Sequence, residues 1–244
     1  MWTIARRELF SLLLSPLAWV VLALMQAVLA WFFMLGLDYY LYQRSALPIL
    51  PEQQGFTFIV VHTLFDRAGV LLLLIAPLLS MRVISEERRQ QRLALLLTAP
   101  LSNTQIVLGK YLGLLGFFSV SALLLSLMPL SLLAGGSPDW GHLAAALLGF
   151  WCLAAAATAV GLYFSALSPH PALAAIGSFG VLLMLWLLDW SGAGVGVVGA
   201  LSLYQHYQGL LSGVINSADL SYFFSLTGIF LILSAGQLRR LVNA

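Results

Sequence analysis

Glu86, Glu87, Arg88, Arg89 and Arg92, with Arg82 before them and Lys110 after, set seven charges between two long apolar runs. Two adjacent carboxylates followed by cations can form ion pairs and hydrogen bonds, which is the chemistry of docking. Glu86 and Glu87 are placed to pair with Gln90, Arg89 or Arg92 at three- or four-residue spacing, so this stretch reads as a helix continuing out of the apolar run before it. Leu93 to Leu97 follows, apolar but far too short to span a bilayer, and Thr98-Ala99-Pro100 ends it. A short helix with a charged side and a leucine side suits a groove on a partner. The same cations would also act as a topology signal that attracts anionic lipid, each contributing about 1 kcal/mol near a charged leaflet.

The other polar candidates lie apart from this stretch. His62, Asp66 and Arg67 could line the outer mouth of a path; an interfacial ion pair and a wetted histidine fixing a helix end is the plainer account. Tyr204, His206 and Tyr207 could touch cargo, and an interfacial aromatic belt explains them as well. The four histidines, His62, His142, His170 and His206, are scattered without H-E-x-x-H spacing or a cysteine partner, which argues against a metal site. No G-x-x-x-x-G-K-[ST] phosphate loop occurs, so the chain does not hydrolyse ATP alone. An intramembrane enzyme would need paired carboxylates at depth, whereas Asp66 and Asp189 both read as lying near the outer face.

The elements that must position these residues are apolar. Of 244 residues, 61% are hydrophobic and 8% charged, and the mean hydropathy is +0.98. A soluble domain carries about 25% charged residues; this chain could not cover its surface in water, so it is an integral membrane protein. A net charge of +2 without a basic, aromatic-interleaved face excludes nucleic acid as a partner. Cys152 is the one cysteine, so no intrachain disulfide can form.

Helical spacing of Trp2, Ala5, Leu9 and Leu12, with Arg6, Glu8 and Ser11 elsewhere around the turn, predicts an interfacial helix over 1–15. Arg6 and Arg7 resemble a signal-peptide n-region, but the apolar run behind them exceeds the usual ~7–15 residues, so the segment is expected to be retained. Ser15-Pro16 breaks the helix; the alternative is that the first span simply begins early. Six spans are expected, at 17–41, 58–84, 102–134, 142–167, 171–189 and 220–236, each close to the ~20 apolar residues a bilayer requires. The polar segment occupies 85–101. Pro77 and Pro129 are expected to kink their helices. Ser102-Asn103-Thr104-Gln105 reads as a capping box, and Gly109 with Gly113 forms a small-xxx-small pair open to another helix. The small residues Ala154 to Ala157, Gly177 and Gly180 read as packing surfaces. Four glycines between Gly192 and Gly199 make 191–219 a poor span, and short re-entrant outer helices suit it better.

With six spans and the N-terminus inside, nine cations fall on the inner side and only Arg44 and Arg67 on the outer. That bias places both termini and the polar segment in the cytoplasm.

The residues ISEERRQ, then LALLLTAPLSNTQIVLGKYLG, resemble the signature around the first cytoplasmic loop of ABC-2 type exporter permeases, in the gliding-motility-type and nitrous-oxide-reductase-maturation-type subgroup. The pattern there is approximately EE(R/K)(R/K)-x-G-T-L-E-L-L-L-T-x-P-(V/L)-S, then a lysine following glycine. Glu86, Glu87, Arg88, Arg89, Leu93, Leu95 to Thr98, Pro100, Ser102, Gly109 and Lys110 match. Gln91 and Arg92 stand where Gly-Thr is usual, and Ala94 replaces a glutamate.

The resemblance implies an all-α membrane protein with six transmembrane helices, an N-terminal interfacial helix, a cytoplasmic coupling helix over 85–101, and re-entrant outer helices between spans five and six. It implies a permease of the bacterial inner membrane that works with a second permease copy, identical or a close paralogue. Each copy would dock a cytoplasmic ABC ATPase through Glu86, Glu87, Arg88, Arg89, Arg92, Leu96, Thr98 and Pro100. ATP and magnesium would be bound by that ATPase, and no cofactor by this chain. The coupling helix would act as a lever driving export or mechanical signalling, and a periplasmic or membrane auxiliary protein fits the same arrangement. His62, Asp66, Arg67, Tyr204 and His206 would then sit at the outer gate or along the substrate path. The other function class is a membrane anchor subunit that transports nothing.

Overall fold

A computed structural model describes residues 1–46, 56–89, 102–131, 139–188 and 199–243. Among the described residues the chain is helical and no strand occurs. The helices are α1 (Trp2–Leu13), α2 (Pro16–Ala46), α3 (Phe56–Arg89), α4 (Asn103–Leu130), α5 (Trp140–Leu167), α6 (Pro171–Leu187), α7 (Leu203–Leu211) and α8 (Ser217–Asn243), with a 3-10 turn at Gly199–Leu201 before α7. Five of them, α2, α3, α4, α5 and α8, are long and apolar enough to cross a membrane, while α6 is apolar but has 17 residues. The chain is a multi-pass membrane protein.

Length follows from where the breakers lie. Proline opens α2 and α6 at their first turns, where its missing N–H costs nothing. Ser102 caps α4 with the full capping box expected from the sequence, its Oγ accepting from Gln105 N–H and the Gln105 side chain accepting in return. Asp139 caps α5 by accepting from Gly141 and His142. With 31 and 34 residues, α2 and α3 are longer than an apolar core of ~30 Å needs at 1.5 Å per residue.

The core sits around α5, which packs against α3, α4, α6, α7 and α8. Two thirds of its apolar window (67%) is buried, against 28% for α2 and 17% for α8, so α5 is central and those two are peripheral. Its small side chains explain the position: Ala154, Ala156, Ala157 and Ala159 are all fully buried. Gly161 lets α3 cross so closely that an added methyl would overlap Ser80 Oγ. Gly177 likewise takes the Phe164 ring, whereas Gly180 meets no neighbour among the described residues of this chain.

The small-xxx-small pair on α4 receives α1. Gly109 faces Met1 and Ile4, Gly113 faces Ala5 and Glu8, and Gly116 faces Leu9, so the contacts advance in the same order along both helices. This corrects the sequence reading of α1. Glu8, assigned there to the polar side, lies on the packed side, while Trp2 is 76% exposed.

Side-chain contacts divide the bundle into two ends. Glu8, Glu87, Arg88, Lys110 and Leu167 meet at one, together with the exposed Arg6, Arg7, Arg82, Arg89, Arg239 and Arg240; this is the basic end. Asp66, His142, His206, Gln208 and Asp219 meet at the opposite end.

Candidate functional site

At the basic end Lys110 joins three helices. Its Nζ donates to Glu8 Oε1 at 2.9 Å on α1, to Glu87 Oε1 at 2.8 Å on α3, and to the Val83 carbonyl at 2.9 Å. An ammonium has three N–H donors, and all three are used. Lys110 is 1% exposed, among the least accessible side chains of the protein. The lysine follows Gly109, and the close seat that Gly109 and Gly113 give α1 is what brings Glu8 within reach. Two carboxylates meet one ammonium here, and Glu87 Oε2 is buried without a hydrogen-bond partner among the described residues.

The sequence expected Glu86 and Glu87 to pair along their own helix. For Glu87 the structure gives a different answer, because the ammonium of the next helix takes its carboxylate. Arg88 donates to the Leu167 carbonyl at 3.4 Å, tying the end of α3 to the end of α5. Glu86 is half-buried and Arg89 exposed. Arg92, Leu96, Thr98 and Pro100, with most of the expected coupling helix, lie outside the described residues. The residue that sequence reasoning missed is Lys110 itself, counted as one more cytoplasmic cation. The available signal was a lysine eight residues inside an otherwise uncharged helix, a place where a charge needs a built partner.

At the opposite end α7 is wedged among its neighbours. Tyr207 is fully buried and donates to the Phe65 carbonyl at 2.5 Å, its ring filling the space that Gly69 leaves on α3. It is therefore no member of an interfacial belt. Burial, with the Asp66 carboxylate adding to it, pushes the Tyr207 hydroxyl well above the ordinary tyrosine range, so it stays a neutral donor. Gln208 donates to Asp66 Oδ1 at 2.6 Å, while Asp66 and Arg67 stand 3.9 Å apart and Arg67 lies over the Phe32 ring of α2. Both ring nitrogens of His206 face acceptors, Asp219 Oδ1 at 2.7 Å and the Ala200 carbonyl at 3.1 Å, and the ring stacks on Tyr222. Tyr204 packs edge-on against Trp186 of α6. His62 lies within electrostatic reach of His142, which sits under Gly213. Gly213 has φ +86°, a left-handed helix end that favours glycine. The sequence candidates at this end thus spread around α7, each facing a different helix, and do not converge on one point.

Tyr207→Phe should cost about 1 kcal/mol, the usual net value of one hydrogen bond, because the Phe65 carbonyl loses its donor. A thermal unfolding midpoint lowered by a few degrees, with the same value at pH 6 and pH 9, is the expected result.

The family model described as ABC-2 family transporter protein matches residues 2–235, nearly the whole chain. The chain belongs to the ABC-2 transporter family. One relative is the probable ABC transporter permease protein NosY of Pseudomonas aeruginosa, 34% identical over 144 residues. That alignment covers 52% of this chain and 46% of the relative, so the chain spans about half the length of the protein it matches. The Lys110 junction is the root of the α3–α4 connection, whose two ends it joins to each other by a buried ion pair.

Proposed function

We propose that this chain is the permease subunit of an ATP-binding-cassette exporter, in which a separate cytoplasmic ATPase drives the α3–α4 connection. The observation that carries the reading is the Lys110 junction. Glu87 at the end of α3 and Lys110 on α4 are held 2.8 Å apart, and Glu8 brings α1 into the same cluster, so a force on the connection acts on three helices together. Glu86, Glu87, Arg88, Arg89, Arg92, Leu96, Thr98 and Pro100 form or flank that connection. Of these, Glu87 and Arg88 anchor it to the bundle, which leaves Arg89 and the residues beyond to meet the ATPase.

In this reading α6 supplies a sixth crossing. Its 17 residues rise about 25 Å, short of an apolar core of ~30 Å, a mismatch that a locally thinned bilayer accommodates. Both termini then lie in the cytoplasm of a bacterial inner membrane, as the collection of cations at the basic end favours. The short helix α7 caps the outer end, with His62, Asp66, Arg67, Tyr204 and His206 around it as the outer closure. ATP and magnesium belong to the ATPase, and a second permease copy completes the path. The output is export or force transmission.

The test is capture of the partner from native membranes. Tagged permease should retain a protein bearing a phosphate-loop motif, identified by mass spectrometry. Arg89→Glu combined with Leu96→Asp should reduce that capture at least tenfold while the permease still inserts. A cysteine at position 89 labelled by an impermeant maleimide from outside intact cells would overturn the orientation. Turnover of the captured ATPase left unaltered by Pro100→Ala would favour an anchor that transports nothing.

A further inference from the structure

Ser165 on α5 is fully buried, and its hydroxyl has no capacity left. It accepts from the backbone N–H of Ile84 at 3.0 Å and of Ser85 at 3.1 Å, and donates to the Met81 carbonyl at 2.9 Å. One donor and two acceptor positions are all a serine hydroxyl has. All three are spent on the backbone of a neighbouring helix, α3.

An amide N–H has a single proton. Whatever Ile84 and Ser85 give to Ser165 is drawn from their own bonds to the carbonyls four residues earlier, and a side chain inserted into that ladder is a known cause of bending. The stretch just before is weakened too. Pro77 has no N–H, Ser80 Oγ turns back to the Ala76 carbonyl at 2.7 Å, and Ser85 Oγ also takes the Met81 carbonyl. Beyond it, Ile84–Arg89 is gripped from outside, by Lys110 through Glu87 and by the Leu167 carbonyl through Arg88. Gly161, one turn before Ser165 on α5, is what lets α3 come close enough for the hydroxyl to reach.

We infer that Ser165 is a positioning residue that sets the angle of Ile84–Arg89, the end of α3 that leads into the α3–α4 connection. The segment pivots about Met81–Ser85, and the Ser165 hydroxyl is the pin. Release leaves no buried group orphaned, because the Ile84 and Ser85 N–H groups can return to the Ser80 and Met81 carbonyls of their own helix and the Ser165 hydroxyl can turn back to the Gly161 carbonyl of α5. Two discrete arrangements of one packed element are what a switching transition uses. The inference rests on the reading above only for what the segment drives; the pivot itself belongs to the permease.

The experiment uses the full chain in lipid nanodiscs, with spin labels on cysteines at Arg89 and Leu173, both exposed, and pulsed electron resonance to read their separation. Ser165→Ala should shift or broaden the distance distribution by about 3 Å, two residues' rise along a helix. Ser165→Thr, which keeps the hydroxyl, and Thr158→Ala, which removes a buried hydroxyl bonded only to its own helix, should leave it in place. If the alanine variant does not fold, Ser165→Gly, which also lacks the hydroxyl, must move the distribution in one consistent direction. A distribution for either Ala or Gly that superimposes on that of the parent overturns the pivot. In the captured complex Ser165→Ala should keep the ATPase bound and change its turnover at least threefold. Failure to capture any ATPase counts against the proposed function and leaves the spin-label result standing.

Discussion

Lys110→Met is expected to lower the midpoint of thermal unfolding by on the order of 10 °C. The Lys110 ammonium has three donors, and each is used. Methionine keeps the length and the apolar stem of lysine but leaves Glu8, Glu87 and the Val83 carbonyl without their shared partner. Both carboxylates are largely buried, at 18% and 17% exposure, so solvent cannot replace the ammonium. Removing one partner of a buried ion pair costs about 3–5 kcal/mol. For a chain of this length each kcal/mol moves the midpoint by about 2–4 °C. The triple change Glu8→Gln, Glu87→Gln, Lys110→Met should recover most of the loss, since neutral amides of the same shape leave no charge unpaired. Tryptophan fluorescence of the detergent-purified protein reads all of these variants. A Lys110→Met midpoint within about 2 °C of the parent, under half of the smallest shift that scaling allows, would remove the junction from the account.

The second large effect is at Gly161. An added Cβ would overlap Ser80 Oγ and lie 2.7 Å from Ser80 Cβ, with the Ala76 carbonyl 3.7 Å away. Ser80 is fully buried and bonded to its own backbone, so it cannot swing aside into solvent. Overpacking of this kind costs about 1–3 kcal/mol, and more where backbone must move. Gly161→Ala should therefore destabilise strongly and also lift Ser165 away from Ile84 and Ser85. Adding Ser80→Gly should reverse much of the damage, although Ser80→Gly alone costs about 1 kcal/mol in a helix interior. That opposition of sign is the diagnostic. A double-mutant cycle should return a coupling of about 2 kcal/mol, whereas independent effects would mean that α3 and α5 do not cross here.

Much of the framework was legible without coordinates. Helix starts at Pro16, Ser102 and Pro171 follow from local chemistry, because a proline or a capping hydroxyl acts within one turn. The five long spans follow from composition alone, since an apolar run of that length has nowhere else to go. The family resemblance is also carried by residues close together in the chain, from Glu86 to Lys110. What failed was the choice of partner. Three- and four-residue spacing offers Glu87 only neighbours on its own helix, whereas Lys110 on the next helix takes its carboxylate. An amphipathic pattern puts Glu8 on the polar side of α1, because it shows which residues are polar and not which polar residue has a partner waiting. Gly161 and Ser165 stand at the same small-xxx-small spacing as Gly109 and Gly113, but that spacing shows only that a helix can approach and not which helix or backbone it meets.

The sequence by itself determined that the chain is helical, that it lives in a membrane, and that one cluster of charge between two spans belongs to the ABC-2 pattern. These properties are set by residues within about 20 positions of one another, the reach of one crossing. Only the tertiary structure decided that Glu8, Glu87 and Lys110 form one buried junction, that α7 is wedged under the opposite end, and that a serine of α5 holds the backbone of α3. Each of those joins residues far apart in the chain through a close approach of helices. Close approach depends on which small residues happen to face one another, and that is settled only when the bundle packs.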